Sequence, residues 1–220
     1  MRLESGEEIT TDVLLCGTGW QPSLGFFDKD LLVQLDLPHE SQDEDEAHRE
    51  KWANLEKEAD KKVIERFPLL AEPPAHPRKP RATTPYRLYR GIAPVADDSI
   101  AFIGHVLVGN YFSVTEAQAI WITAYLDKKL ALPAVAEREE DISLFTSWCR
   151  RRYLSNGENG NHMTFEFVVY VDQLLQDVGL SSNRQNGWFK NWFSPCMARD
   201  MAGLRGEYLS KFGASPATGT

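Results

Sequence analysis

Residues 11–23 read TDVLLCGTGWQPS, and the fold turns on that stretch. Val13 to Cys16 is a short apolar run stopped by Gly17, the pattern of a strand buried on both faces. Gly17-Thr18-Gly19 then sits where a dinucleotide-binding fingerprint would sit. The third glycine of GxGxxG falls on Pro22, which has no N–H for a pyrophosphate and cannot give close helix–strand packing. No helical pattern starts there, and the chain contains neither another GxGxxG nor a GxxxxGK[ST]. A buried strand also needs neighbours. The only partner before it is a short hairpin, Arg2 to Ile9, turning at Ser5-Gly6. The expectation is a partial sheet whose remaining strands lie upstream of this sequence.

Outward from that stretch, the chain has 220 residues, of which 42% are hydrophobic and 25% charged, an ordinary globular composition. At this length folding buries roughly 70% of the extended chain's surface, so a core needs no covalent staple. A net charge of −8 argues against a general nucleic-acid binder or a polybasic membrane-surface protein. Cys16, Cys149 and Cys196 are far apart with no CxxC, which gives neither a disulfide framework nor a zinc pattern. A reducing, cytoplasmic compartment is expected. The polar N-terminus is not a secretory signal, and no apolar run has the length of a membrane span.

Downstream, residues 36–50 carry an acidic cluster that includes DEDE, read as a solvated face. From Glu44 the pattern turns helical, with Trp52, Leu55, Ala59 and Val63 on one stripe and an end before Pro68. The proline-rich stretch Glu72–Pro85 reads as an extended connection. Tyr86–Arg90 alternates as a strand does, and Ser99–Gly104 reads as a second buried strand. A Gly-containing loop follows. Thr115–Leu130 reads as a helix capped at Ser113 or Thr115, with Glu116 in its first turn. The last third is helical: Glu137–Leu154, Thr164–Val178 closed by Gly179, and Asp200–Phe212. Between them, Gly187–Phe193 is dense in aromatics and reads as a short turn docked on the body rather than a base-stacking platform.

Few residues suggest chemistry by themselves. None of the five histidines forms HExxH or pairs with Cys at ligand spacing, so no metal site is expected. His39, His48 and His76 lie in polar segments and read as surface residues. His105 follows a buried strand and is the one histidine placed to line a pocket. There is no GxSxG elbow. The strand ending Phe102-Ile103-Gly104, then a loop, then a helix reading Glu116-Ala117-Gln118-Ala119-Ile120-Trp121, has one physical merit. A helix N-terminus offers free N–H groups and partial positive charge to a polarised carbonyl or developing anion.

Those segments, taken in order, resemble flavin-containing monooxygenases. TDVLLCGTGWQPS is similar to their D-x-[VIL]-[IL]-x-[AG]-T-G-[YW] linker, RLYRGIAP and SIAFIG to the segment after it, and TEAQAIW to their E-x-Q-A-x-W helix. DQLLQDVGL and GWFKNWFSP resemble the C-terminal end of the dimethylaniline monooxygenase type. The resemblance runs from residue 1 to about residue 210. The family carries two GxGxxG loops, for FAD and for NADPH, ahead of the T-G-[YW] motif, and this chain has neither.

The resemblance implies an α+β or α/β fragment of a two-dinucleotide-binding-domain flavoprotein. Residues 1–130 would be the remainder of the FAD/NAD(P)-binding region and 131–220 a helical extension. It implies FAD and NADPH as cofactors, and oxygen insertion through a flavin hydroperoxide into a small molecule, either a soft nitrogen or sulfur or a ketone. It places Thr18, Gly19, Gly104, Thr115, Glu116 and Gln118 toward the cofactor. The residues alone also read as a turn glycine at 19, a strand terminator at 104 and a first-turn carboxylate at 116, with Trp121 in a core. The alternative is an inactive remnant or interaction module whose open sheet edge is covered by a partner chain or a second copy.

Overall fold

A computed structural model describes residues 6–8, 10, 24–75, 82–182, 184 and 198–213. The Val13–Cys16 strand, Thr18, Gly19, His76, the aromatic segment 187–193 and most of the 2–9 hairpin lie outside the described residues.

Among the described residues the architecture is mostly helical: α1 (Lys29–Gln34), α2 (Glu46–Arg66), α3 (Tyr111–Leu126), α4 (Val135–Arg152), α5 (Phe167–Val178) and α6 (Leu204–Phe212). Two short strands, β1 (Leu107–Val108) and β2 (His162–Met163), pair in parallel, Leu107 opposite His162. No helix of the described residues is long and apolar enough to cross a membrane.

The helices start where side chains satisfy their free amides. Asp45 caps α2 by accepting from the His48 amide at 2.8 Å. Glu137 folds back onto the Ala134 amide at the start of α4. Gly179, at φ +69°, closes α5 in the left-handed conformation that costs glycine least. The stripe on α2 holds, with Trp52, Ala59 and Val63 buried and Leu55 packed against the same core. α2 lies on α4, locked by charge. Arg150 pairs with Glu56 at 3.1 Å and Asp60 at 2.8 Å, and Arg151 with Asp60 at 2.9 Å.

The main core joins Trp52, Tyr89, Ile92, Trp121, Ile142 and Leu174 among others, so it draws on residues either side of position 130. Burying each large side chain contributes about 1.5–3 kcal/mol. A smaller cluster gathers Leu35, Leu37 and Leu88, with Phe27 and Phe102 against it.

Both expected strands of the middle region are corrected. At Tyr86–Arg90 the backbone reverses: Arg90 and Gly91 take φ of +56° and +63°, and the Tyr89 amide donates to the Ala93 carbonyl at 2.7 Å. Leu88, Tyr89, Ile92 and Ala93 are all buried, so this is a tight turn pressed into the core. A Cβ on Gly91 would come within 2.4 Å of Val106 Cγ2, which is why glycine stands there. Ser99–Gly104 is not a strand either. Its Phe102 amide bonds the Ile92 carbonyl, while Ile103 and Gly104 are exposed. The pairing that does form is only two residues long on each side, below what alternation can signal.

α3 begins four residues before the expected start. Asn110, not Ser113 or Thr115, is the cap, and its side chain accepts from the Ser113 amide at 3.3 Å. Glu116 is therefore in the second turn rather than the first. The final helix is broken at Gly203 (φ +97°), with a 3-10 turn at Ala198–Met201 before it.

Candidate functional site

The candidate site is the turn at Ile103-Gly104 together with the first two turns of α3. Asn110 orients that helix end, leaving the Tyr111 and Phe112 amides outside the helical ladder. Gly104 sits at φ +71°, a conformation that disfavours any side chain, with Thr115 Cγ2 4.0 Å from where its Cβ would be. Around them Ile103, Tyr111 and Phe112 are exposed, Phe112 by 82%. This is an apolar rim around a helix end rich in unpaired donors.

Gln118 is completely buried. Its Oε1 accepts from the Gly104 amide at 2.9 Å, and its Nε2 donates to the Tyr170 hydroxyl at 2.8 Å. Tyr170 in turn donates to the Arg90 carbonyl at 2.7 Å. Burial pushes the Tyr170 phenol well above its usual range, so it stays a neutral donor. The chain Gly104–Gln118–Tyr170–Arg90 thus ties the exposed turn to α3, α5 and the 90–91 reversal.

Of the residues expected at a cofactor, Gly104, Thr115 and Gln118 come together. Gln118 faces the protein interior, so its influence on a ligand passes through Gly104. The Gly104 amide is already spent on Gln118, which leaves its carbonyl and its bare Cα to a ligand. The Thr115 hydroxyl bonds back to the Tyr111 carbonyl at 2.7 Å. Glu116 turns away, onto a groove between α3 and α6 that also takes Asp127, Arg205 and Tyr208. Trp121 is core: it stacks on Tyr125 at 5.1 Å and donates its indole N–H to Asp177 at 2.9 Å.

His105 packs edge-on against Tyr86, 3.7 Å between ring centres. Burial lowers its pKa to about 4, so the ring is neutral at physiological pH. A cavity of about 60 Å³ lies beside Arg90, with Phe145, Met163 and Tyr170 on its walls. Arg90 at its edge is held by Asp177 at 2.8 Å and Asp141 at 2.6 Å.

The histidines of the acidic stretch are corrected most sharply. His39 is 4% exposed and faces Glu44 at 3.2 Å, and Asp36 and Glu44, buried with it, both face Arg87. His48 is half-buried at 2.9 Å from Asp36. Part of that charge run is an internal ionic cluster. What sequence reasoning lacked was the partner, Arg87, 43 residues beyond Glu44.

No family model matches the chain, and no solved structure does. Curated proteins do match. The chain is 33% identical to resA of Aspergillus sclerotiorum over 99% of its own length. It is 36% identical to a protein of Pyrenophora dematioidea over 83% of its length, and 32% identical to rstn6 of Aspergillus nomiae over 96%. All three are named FAD-dependent monooxygenases. The chain spans 39%, 34% and 37% of those relatives' lengths, so it is similar to a little over a third of such an enzyme.

Proposed function

We propose that this chain is the C-terminal part of an FAD- and NADPH-dependent monooxygenase of the dimethylaniline type. The reaction inserts one oxygen atom of dioxygen into a small molecule with a soft nitrogen or sulfur, or into a ketone. The observation that carries the reading is the turn–helix unit at Gly104–Gln118, at the position where the ordered motifs place the flavin end, joined to relatives named FAD-dependent monooxygenases.

The residues present fit a flavin there. A substituent-free Gly104 permits a planar ring to approach, and the free amides at the start of α3 offer donors to a ring carbonyl. Ile103, Tyr111 and Phe112 supply an apolar surface that excludes water once covered. FAD, reduced by NADPH, would supply the oxygen-activating chemistry when bound. This chain's part is to position: Gln118 and Tyr170 fix the Gly104 turn, and Asn110 fixes the helix end. Thr18 and Gly19 would approach the same cofactor from the linker side.

We read residues 1–130 as the remainder of the nucleotide-binding region and 131–220 as the helical extension. Phe112, Phe165 and Val169 are large and at least two-thirds exposed, which supports coverage by further polypeptide, in the same chain or a partner. A cytoplasmic, reducing setting suits the free, buried thiol of Cys149.

The test expresses this sequence with any coding sequence contiguous with it, and reads the flavin absorbance and NADPH consumption under air. A yellow protein that oxidises NADPH is expected. A folded, colourless product that neither retains FAD nor consumes NADPH refutes the reading. The 220-residue chain alone, gel-filtered after incubation with FAD, is expected to retain little flavin, because no pyrophosphate loop is in it.

A further inference from the structure

We propose that Asp36, His39, Glu44 and His48 form a binding site for one divalent transition-metal ion of the zinc type, with Arg87 as the cation that holds the two carboxylates when the ion is away.

The site is built by the chain segment before α2 and by the first turn of α2. Asp36 Oδ1, Glu44 Oε1 and His48 Nε2 lie within 4.8 Å of one another. His39 Nε2 stands beside that trio, 3.2 Å from Glu44 Oε1. The His39 side chain is 2% exposed, and its Nε2 has no hydrogen-bond partner although buried.

Stereochemistry says what those nitrogens carry. His39 Nδ1 is 2.5 Å from the Leu37 carbonyl, which can only accept, so the ring proton is on Nδ1. With Nδ1 held by that carbonyl, the ring turns Nε2 toward the Glu44 carboxylate. His48 Nε2 receives the Trp52 indole N–H at 3.1 Å, and an indole can only donate. That nitrogen too faces a carboxylate, Asp36, at 2.9 Å. Both histidines thus turn Nε2 toward a carboxylate inside a buried cluster, an arrangement whose four groups could serve a cation as ligands.

Arg87 supplies some of it, bonding Asp36 at 3.1 Å and also Glu44. One guanidinium faces two carboxylates, and its own Nε is buried without a partner. Arg87 also lies 4.7 Å over the Trp52 ring, a face on which a displaced guanidinium can rest.

Donor type and spacing fit a metal. A histidine whose Nδ1–H is fixed by a backbone carbonyl is the usual presentation of a ligating Nε2. Tetrahedral ligands at zinc bond lengths are about 3.3 Å apart. Three of the six pair separations here are 2.9, 3.2 and 3.8 Å, and Asp36 Oδ1 lies within 4.8 Å of Glu44 Oε1. Two imidazoles and two carboxylates make a closed, structural type of site. It would close the 36–44 segment onto the first turn of α2, independently of any flavin.

The experiment uses the tag-free 220-residue chain, stripped with chelator and titrated calorimetrically with Zn²⁺, then with Co²⁺ for its visible spectrum. One equivalent of Zn²⁺ bound at micromolar concentration and tetrahedral Co²⁺ bands are expected. H39A and E44Q should each lose binding by about 100-fold or more, since removing even an outer partner costs 10–100-fold. R87M should bind about tenfold more tightly or better, because no guanidinium holds the competent fraction down. No binding to the wild-type chain, or binding that H39A leaves unchanged, overturns the proposal. Should R87M fail to fold without metal, the wild-type Co²⁺ spectrum and H39A decide. Nitrogen-15 spectra showing protons on both nitrogens of both rings in the presence of Zn²⁺ also overturn it.

Discussion

Replacing Tyr170 by Phe probes the relay behind the candidate site, because it deletes one oxygen and keeps the ring. That hydroxyl receives Gln118 Nε2 at 2.8 Å and donates to the Arg90 carbonyl at 2.7 Å, within a residue only 2% exposed. Without it, a buried amide N–H and a part-buried carbonyl lose their partner, each costing about 1–3 kcal/mol. The Y170F loss should total about 2–6 kcal/mol. Q118L is milder. It frees the Gly104 amide, which sits in an exposed turn and can turn to water, and leaves Tyr170 its donated bond. About 0.5–1.5 kcal/mol is expected there. The double variant should fall short of the sum by about 1 kcal/mol, since the two share a bond. Urea titration followed by circular dichroism measures each midpoint at constant slope. A Y170F protein within about 0.5 kcal/mol of wild type, or strict additivity in the cycle, would refute the relay.

Gly104→Ala forces a side chain into φ +71°, so a loss of about 1–2 kcal/mol in thermal unfolding is expected, with weaker FAD retention in any flavin-binding form. Gly157→Ala should be far worse, because the new Cβ would stand 2.0 Å from the Cys149 carbonyl oxygen; expression at wild-type stability would contradict that contact. At Asp60, desolvation raises the carboxyl's pKa, but hydrogen bonds from Arg151, Ser147 and Arg150 outweigh it, and the net shift is downward. Its stabilisation is therefore present above the ordinary carboxylate pKa and lost as pH falls through the lowered one, so D60N should cost stability at pH 7 and progressively less in acid. His105 runs on a different window: burial lowers its pKa to about 4, so the unfolded chain binds the extra proton between there and about 6.5. Stability should drop as pH is lowered from about 6.5 to 4 in the wild type, and H105F should flatten the slope; an unchanged slope would argue against a buried neutral ring.

Long amphipathic patterns were legible in the chain itself. The Trp52–Ala59–Val63 stripe and the Gly179 terminator are local signals, because helix periodicity and capping act over a few residues. The TEAQAIW helix and the ordered motifs likewise pointed to a flavoprotein before any coordinates, and relatives carrying that name bear out the coarse reading. What the sequence could not give was anything resting on a distant partner. Tyr86–Arg90 alternates as a strand would, yet packing of Gly91 against Val106 and Tyr170's bond to the Arg90 carbonyl favour a reversal. Asn110 displaced the expected cap because its side chain reached the Ser113 amide first. Gln118 was singled out by the motif, yet its side chain turns inward because α5 brings Tyr170 to it. The acidic stretch shows the same division. A run of charge is solvated by default, and burial of the Asp36 and Glu44 carboxylates becomes tolerable only when folding delivers Arg87 to neutralise them. Local order is written in residue spacing, whereas the cost of burying a polar group is settled by partners that only the tertiary structure brings within reach.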